Sequence, residues 1–227
     1  MDNTYPMKII AHIQTDFSDK FGIPRQSGLV PELQGVIRFM PEYRNTDAVR
    51  GLDGFSHIWL LWQFSEAVRD TWSPTVRPPR LGGNTRLGVF ATRSPFRPNA
   101  IGLSCVKLVR VDTDAKDGPL LFVSGADLLD GTPIFDIKPY LPYADSIPDA
   151  AGGFTDTSSD FLLQVECEDT LLQKVPQEKR EALLGVLSHD PRPSYQDDPE
   201  RIYGLTFSGT NVRFKVDGSV LTVLEIT

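Results

Sequence analysis

The chain alternates short apolar runs with polar segments rich in turn-forming residues, and most of these runs have the length of β-strands. Runs of this kind predict strands, whereas amphipathic helices need longer segments with apolar residues three or four positions apart. Before residue 150 we expect about seven strands and no long helix. The expected strands are residues 7–13, 35–40, 57–64, 87–91, 101–111, 120–126 and 133–137.

Two of these runs indicate the shape of the sheet. Residues 57–64 are largely apolar at successive positions, which is typical of a strand buried on both faces or closing a barrel. Residues 101–111 alternate apolar and polar positions, as a strand with one buried face does. Because no helices separate the strands, we predict an antiparallel sheet or barrel rather than a doubly wound fold. The Asp130-Gly131 pair predicts a hairpin turn.

The composition changes at residues 145–159, which are acidic and rich in Gly, Ser and Ala. We therefore predict a domain boundary near residue 150. The first domain, residues 1–150, contains the strands described above, and residues 151–227 form a small α+β domain.

One segment of the second domain has the pattern of a helix. Residues 176–188 begin with a proline, which suits the start of a helix, and place four apolar residues on one face. Those residues are Ala182, Leu183, Val186 and Leu187. Strands are expected at residues 161–167, 202–207, 212–216 and 220–226.

Charge is distributed unevenly. The protein has 30 acidic and 23 basic residues and a net charge of −7, which disfavours a nonspecific binder of polyanions. Residues 71–111 nevertheless contain no Asp or Glu. Their seven bases are Arg77, Arg80, Arg86, Arg93, Arg97, Lys107 and Arg110. Because five prolines and four glycines also shape the backbone of this stretch, we expect it to bind an anion.

The arginines of this stretch differ in how strongly the sequence indicates a function for them. Arg86, Arg93 and Arg97 surround a loop without an acidic neighbour in sequence, and guanidinium groups bind phosphate or carboxylate in bidentate geometry. For these three a function is favoured over plain surface charge. Arg77 and Arg80 flank a Pro-Pro pair that keeps the chain extended, and surface charge stays the alternative for them.

Absent motifs exclude several function classes. Neither GxGxxG nor GxxxxGK[ST] occurs, so we expect no Rossmann or P-loop nucleotide site. There is no GxSxG elbow, and Ser56 and His57, as neighbours in a strand, are expected to point to opposite faces. The three His and two Cys lack metal-ligand spacing, so we expect no metal site.

The sequence also allows a prediction of the cellular compartment. The first twenty residues lack the pattern of a secretory signal, and the longest apolar run, residues 58–62, is too short to cross a bilayer. Cys105 and Cys167 are expected to be separate buried thiols, although a disulfide between them stays open. We therefore expect a cytoplasmic protein without a membrane segment.

A few other side chains are candidates for chemistry. His57 is either a half-buried strand residue or part of the lining of a pocket. Asp127, Asp130 and Asp136 lie close in sequence, and Asp130 either shapes its turn or accepts a hydrogen bond from a ligand. Tyr195 lies on a Pro-rich loop where it is able to stack on an RNA base. These patterns do not identify a reaction.

Several long strings resemble the TsaA-like (YaeB/TrmO) family. They occur in order from about residue 8 to the end: PRQSGLV, VRGLDGFSHIWLLWQF, RPPRLGGNTRLGVFATRSPFRPNAIGLS, DLLDGTPIFDIKPYLPYAD and DPRPSY. Two positions depart from the family pattern. Many members have Ser/Thr-Pro-aromatic where this chain has Thr15-Asp16-Phe17, and Ala100 replaces the last proline of Arg-Pro-Asn-Pro.

The resemblance implies an S-adenosylmethionine-dependent methyltransferase that acts on tRNA. Its target is N6 of N6-threonylcarbamoyladenosine at position 37 of the anticodon loop, notably in threonine tRNA. The implied fold is mainly β, with a single-sheeted β-barrel, a small α+β C-terminal domain and no Rossmann fold, and the implied assembly is a homodimer. A nonenzymatic RNA-binding β-barrel is the alternative. A hydrolase of a small phosphorylated substrate is disfavoured, because metal ligands are scarce.

By matching positions, the resemblance also implies a pocket for S-adenosylmethionine. Its residues are Thr15, Asp16, Phe17, Ser56, His57, Arg86, Arg93, Arg97, Asp130, Gly131, Thr132 and Pro133. Catalytic roles are expected for Asp130, His57 and Arg97. Either Asp130 or His57 would accept the N6 proton, whereas Arg93 and Arg97 would hold the threonyl carboxylate or a flanking phosphate.

Overall fold

The computed structural model describes residues 4–69, 71–78, 81, 84–156, 161–192 and 198–227. Its largest element is a closed barrel in which six strands pair antiparallel in the order β1-β2-β7-β6-β3-β8. These strands are β1 (Ala11–Gln14), β2 (Gln34–Phe39), β3 (His57–Gln63), β6 (Ile101–Asp112), β7 (Leu120–Ser124) and β8 (Pro133–Pro139). The predicted mainly β barrel without a Rossmann fold is confirmed.

The barrel core follows from the alternation of the strands. Inward positions are apolar except for Ser104 on β6, and Ile13, Ile37, Ile58, Leu60 and Ile134 are fully buried. Outward positions of β3 are only half-buried, so this strand is less enclosed than its apolar sequence suggests. Each large apolar side chain buried here contributes about 1.5–3 kcal/mol to folding, so the interior of the barrel stabilises it as a unit.

Several predicted strands are shorter in the structure, including those at residues 120–126 and 161–167. The first predicted strand spans Ala11–Gln14 instead of residues 7–13. Of residues 87–91 only β5 (Leu87–Gly88) is a strand, because Val89–Ala91 form a 3₁₀ turn. β5 pairs with β4 (Thr75–Val76) in a two-stranded ribbon outside the barrel.

The predicted hairpin at Asp130-Gly131 is wrong. β7 pairs with β2 and β6, whereas β8 pairs with β1 and β3, so the strands on either side of this turn are not neighbours. The backbone N–H groups of Asp130 and Gly131 donate to Phe17 O and Ile13 O, each at 2.8 Å. The turn is therefore tied to the chain at and after β1, and it crosses the end of the barrel.

The C-terminal unit is a second, smaller sheet with helices. Strands β9 (Gln164–Glu166), β10 (Tyr203–Phe207), β11 (Thr210–Asp217) and β12 (Val220–Ile226) lie in the order β10-β11-β12-β9. The helices are α1 (Pro142–Asp145), just after the barrel, α2 (Asp169–Leu172) and α3 (Arg180–Ser188). The predicted helix is confirmed over α3, and its four predicted apolar residues are buried.

The segment between β1 and β2 packs on the C-terminal unit. Phe17, Val30 and Leu33 are buried in the same apolar cluster as α3 and the second sheet. The Phe17 ring meets Phe207 edge to face, with centroids 5.6 Å apart. The two cores are thus joined by residues that precede β2, and a boundary near residue 150 stays a prediction.

The barrel has two ends that the strand directions define. We call one end the upper rim; it is formed by Gln14, Gln34, Gln63, Ile101, Ser124 and Pro133. The lower rim is formed by Ala11, Phe39, His57, Asp112, Leu120 and Pro139. In the described part of the chain, no helix has the length and apolar character needed to span a membrane.

Candidate functional site at the upper rim

A hydrogen-bond network joins the end of β1 to the turn before β8. Thr15 N–H donates to Asp130 Oδ1 at 2.9 Å, and Asp130 N–H donates to Phe17 O at 2.8 Å. Gly131 has φ +74, a left-handed conformation that favours glycine. Asp130 itself is exposed, so the network fixes the position of a carboxylate on the surface of the upper rim.

The next two residues of the turn lead into β8. Thr132 is 3% exposed, and its Oγ1 donates to Leu129 O at 2.6 Å. Pro133 is half-buried at the first position of the strand. The Thr132 hydroxyl thus holds the turn from inside, and its burial leaves Asp130 and Gly131 as the more accessible residues of the DGTP string.

The side chains of Asp16 and Phe17 face the C-terminal unit. The Asp16 carboxylate forms an ion pair with Lys179 at 2.7 Å, and its side chain is 9% exposed. Phe17 is 1% exposed within the C-terminal core. Any contact of Phe17 with a cofactor is therefore left to its backbone.

Ser56 and His57 lie at the opposite end of the barrel. Six residue steps separate His57 from Gln63 on β3, which amounts to about 20 Å along the strand. His57 and Gln63 thus mark opposite ends of β3, and the grouping of the predicted cofactor residues in one pocket stays a prediction. This separation also keeps His57 away from Asp130, the other predicted proton acceptor.

The geometry of Ser56 differs from our expectation. Ser56 Oγ and His57 Nδ1 are 2.9 Å apart, so the two side chains meet instead of pointing to opposite faces. The reason is that β3 begins at His57, and strand alternation does not apply to the residue before it. The imidazole also contacts Tyr140 edge to face, with ring centroids 6.2 Å apart.

The three favoured arginines contact neutral oxygen atoms. Arg93 Nη1 donates to Gln26 Oε1, Arg97 Nη1 to Thr92 O at 3.1 Å, and Arg86 Nη1 is 3.5 Å from Thr75 Oγ1. None of the three forms an ion pair with an acidic residue of the described ranges. Their charges are thus available to an anionic ligand.

Arg97 lines an open cleft at the upper rim. The cleft has a volume of about 360 Å³, and its other polar lining residues are Gln63, Arg69 and Asn99. Phe135 contributes an apolar wall. Small-molecule sites occupy about 300–1,000 Å³, so the cleft has the volume of such a site but is more open than a typical one. Among the predicted cofactor residues, Arg97 alone lines it.

Asp127 belongs to the sequence cluster with Asp130 and Asp136, but the sequence alone predicted no particular role for it. Trp62 Nε1–H donates to Ser104 Oγ at 2.9 Å, and Ser104 Oγ–H donates to Asp127 Oδ1 at 2.6 Å. Ser104 is 1% exposed, so this relay starts inside the barrel and ends at the upper rim. A Cβ at Gly102 would overlap the Trp62 indole, and the glycine therefore lets the ring lie across β6.

Burial raises the pKa of the Asp127 carboxyl group. The hydrogen bond from Ser104 and the positive charge of Arg93 act in the opposite direction but do not cancel the effect. Ser104 faces inward on β6, and a polar residue at an inward position was the available signal for a buried partner. Asp127 thus combines restricted solvent access with a nearby arginine, a combination typical of functional carboxylates.

Some predicted residues lie outside the described ranges. They are Arg80, the Gly82-Gly83 turn and Tyr195. Cys105 and Cys167 are free thiols. No group of three His, Cys, Asp or Glu side chains in the described ranges is arranged to hold a metal ion.

Comparisons with known proteins agree with this architecture. The N-terminal domain model of tRNA-methyltransferase O matches residues 12–146, and the TrmO C-terminal domain model matches residues 160–227. A tRNA (adenine(37)-N6)-methyltransferase of Escherichia coli (strain K12) is 42% identical over 232 residues, covering 99% of this chain and 98% of its own length. A Pseudomonas aeruginosa protein provisionally named S-adenosylmethionine-dependent methyltransferase RcsF is 42% identical over 209 residues, 89% of this chain and 88% of its own.

A solved structure has the same fold as this chain. The crystal structure of TrmO from Pseudomonas aeruginosa superposes with a TM-score of 0.79 at 34% identity, covering 99% of both chains. The match includes the barrel and the C-terminal unit together. The chain therefore belongs to the TrmO family.

Proposed function

We propose that this protein is an S-adenosylmethionine-dependent tRNA methyltransferase. Its product is N6-methylated N6-threonylcarbamoyladenosine at position 37 of the anticodon loop, in threonine tRNA in particular. The observation that carries the proposal is the match along 99% of the chain to a relative named tRNA (adenine(37)-N6)-methyltransferase. The arginines of the upper rim support it, because an RNA substrate and a threonyl carboxylate are both anionic.

The upper rim has groups that suit the methyl donor. S-adenosylmethionine supplies an electrophilic methyl group on a positively charged sulfur. In the cleft, Arg97 and Asn99 suit its carboxylate and hydroxyl groups, while Phe135 offers an apolar face for adenine. The fixed carboxylate of Asp130 suits a cationic or hydroxyl group of the same ligand.

Arg93 is the residue that we assign to the RNA substrate. Its guanidinium lies close enough to Asp127 to influence that carboxylate, and Arg93 Nη1 also donates to Gln26 Oε1. A threonyl carboxylate or a phosphate binds such a guanidinium in bidentate fashion. This contact would place the target base beside Asp127.

Asp127 is our choice for the acceptor of the N6 proton. The N6 lone pair is delocalised into the ring and the carbonyl, so loss of the N–H proton during attack makes the nitrogen a better nucleophile. S-adenosylmethionine would supply the methyl group to this nitrogen and leave as the neutral thioether, and the Asp127 carboxylate would take the N6 proton. His57 lies at the lower rim, and Asp130 is exposed to solvent, whereas burial raises the pKa of Asp127, so His57 and Asp130 suit this role less well.

Methyl transfer from labelled S-adenosylmethionine tests the proposal. Threonine tRNA that carries the threonylcarbamoyl group should become labelled, and the same tRNA without that group should not. No labelling of either tRNA, together with tRNA binding, would favour the nonenzymatic RNA-binding barrel. Equal labelling of both would show an adenine methyltransferase with a different substrate.

Location and assembly belong to the same proposal. We expect the protein to act in the cytoplasm, where it would meet tRNA, and to work as the homodimer that the family resemblance implies. In a dimer, Ser56 and His57 of one chain would be able to contribute to the pocket of the other, because the lower rim of one chain is able to approach the upper rim of another. Sedimentation in the presence and absence of S-adenosylmethionine measures the assembly.

A further inference from the structure

The ribbon of β4 and β5 brings two aromatic residues together outside the barrel. Thr75 pairs with Gly88, and Val89 N–H donates to Pro74 O at 2.9 Å, so the chains before β4 and after β5 run side by side. Trp72 and Phe90 lie at this end of the ribbon, with ring centroids 6.0 Å apart and planes tilted by 32°. Their spacing is that of interacting aromatic rings.

Both rings are open to solvent. Trp72 is 51% exposed and Phe90 is 72% exposed. Single exposed apolar side chains are common, but an adjacent aromatic pair on a proline-bearing ribbon presents a larger continuous apolar surface. Such a surface is characteristic of a binding site.

Basic residues lie on the same ribbon as the pair. Trp72 and Phe90 belong to residues 71–111, which contain no Asp or Glu. Arg86 lies 3.5 Å from Thr75 on the ribbon, and the exposed Arg77 follows β4 at the other end. The ribbon thus has aromatic rings at one end and guanidinium groups at the other.

We propose that Trp72 and Phe90 form a stacking platform for an unpaired RNA base, while the basic end of the ribbon contacts the phosphates. The inference rests on the proposed function, since it gives the tRNA substrate a second contact outside the methyl-transfer pocket. Aromatic rings combined with basic side chains are the usual way in which proteins bind single-stranded nucleic acid, and anticodon loops offer unpaired bases.

Charge favours RNA over a second copy of this chain as the occupant. In a symmetric contact through the ribbon, the same patch would face itself, and the arginines of both copies would be brought together without an acidic residue from residues 71–111 to offset them. Such like-charged contacts repel, whereas RNA neutralises them. The proposal therefore commits to a nucleic-acid ligand.

Binding of threonine tRNA to the full-length protein tests the platform without methyl transfer. The affinity of Trp72→Ala should fall by between about fivefold and about 150-fold, since stacking of one base contributes about that much. Trp72→Phe keeps a ring and should recover most of the affinity. The logarithm of the tRNA binding constant falls linearly with the logarithm of the salt concentration. The steepness of this line should be the same in Trp72→Ala as in the wild type, whereas Arg77→Ala should lower it by about 0.7–0.9.

Two controls separate the outcomes. Affinity for S-adenosylmethionine, measured by calorimetry, should be the same in Trp72→Ala and the wild type, because neither ring lines the cleft. Wild-type tRNA affinity in Trp72→Ala would overturn the platform even if the enzyme methylates tRNA. A shift of that variant from dimer to monomer would also overturn it and would assign the pair to a second copy.

Wild-type protein provides an independent measurement. Bound tRNA should shield Trp72 from a soluble fluorescence quencher, and the shielding should be absent from Trp72→Phe. Shielding that is equal in both proteins would contradict the proposal. If the wild type binds tRNA with stacking but transfers no methyl group, the methyltransferase assignment fails while the platform stands.

Discussion

Two segments of the upper rim carry residues of the implied cofactor pocket, and their side chains have opposite surroundings. Residues 15–17 direct Asp16 and Phe17 into the C-terminal unit, where an ion pair and an apolar core hold them. Residues 86–97 keep three guanidinium groups on neutral partners at the surface. The residues that the family resemblance assigns to the pocket therefore include both residues that hold the fold and residues free to bind a ligand, and burial distinguishes them.

The largest effect is expected from Asp127, which lies next to the second segment. Asp127→Asn should lower kcat by about 10²–10⁴-fold, the usual contribution of general base catalysis. The raised pKa also predicts that wild-type kcat falls on the acid side at a higher pH than for an exposed Asp, because the protonated carboxyl group accepts no proton. The variant should lack this acid limb, as a pH profile of single-turnover rates will show.

A matched control for this variant is Asp136→Asn. Asp136 pairs with Lys138 at 2.8 Å, is half-exposed and takes no part in the relay from Trp62. The control should keep the wild-type rate and acid limb. An Asp127→Asn enzyme with normal kcat would assign the relay to structure alone.

Phe17→Ala tests the buried segment. The side chain is buried in the core of the C-terminal unit, so its removal should lower the free energy of unfolding by about 3–5 kcal/mol. The KM for S-adenosylmethionine should not change in the folded protein, since only backbone atoms of Phe17 are available to a ligand. Urea unfolding and steady-state kinetics measure the two quantities, and Phe161→Ala, at a 64% exposed position, is the neutral control.

Arg97→Ala tests the exposed segment, and here activity should change while stability does not. Loss of a charged donor to the bound ligand should lower kcat/KM by about 10²–10³-fold, while the melting temperature should stay the same. Arg213→Ala, which removes a half-exposed ion pair with Glu225 on the C-terminal sheet, should change neither. A melting temperature that falls in Arg97→Ala would remove the contrast between the two segments.

Much of the barrel was predictable because strand alternation records which side chains are buried. The order of the strands was not, since Asp130-Gly131 has hairpin composition but hydrogen-bonds to the chain at and after β1. The sequence was also insufficient to choose between Asp127 and Asp130 as the acceptor of the N6 proton. Both precede β8 in sequence, but only the structure shows that Ser104, more than twenty residues earlier, donates to Asp127.

The smallest effect on one chain is expected at the lower rim. Ser56→Ala should change the affinity of the monomer for S-adenosylmethionine by less than about twofold, because about 20 Å of β3 separates Ser56 and His57 from the cleft. Calorimetry at protein concentrations below and above the dimer dissociation constant measures this. An effect above tenfold that occurs only in the dimer would mean that the lower rim of a second chain completes the pocket. The same effect in the monomer would contradict the separation of the two rims, because no group at the far end of a rigid strand contacts a ligand in the cleft.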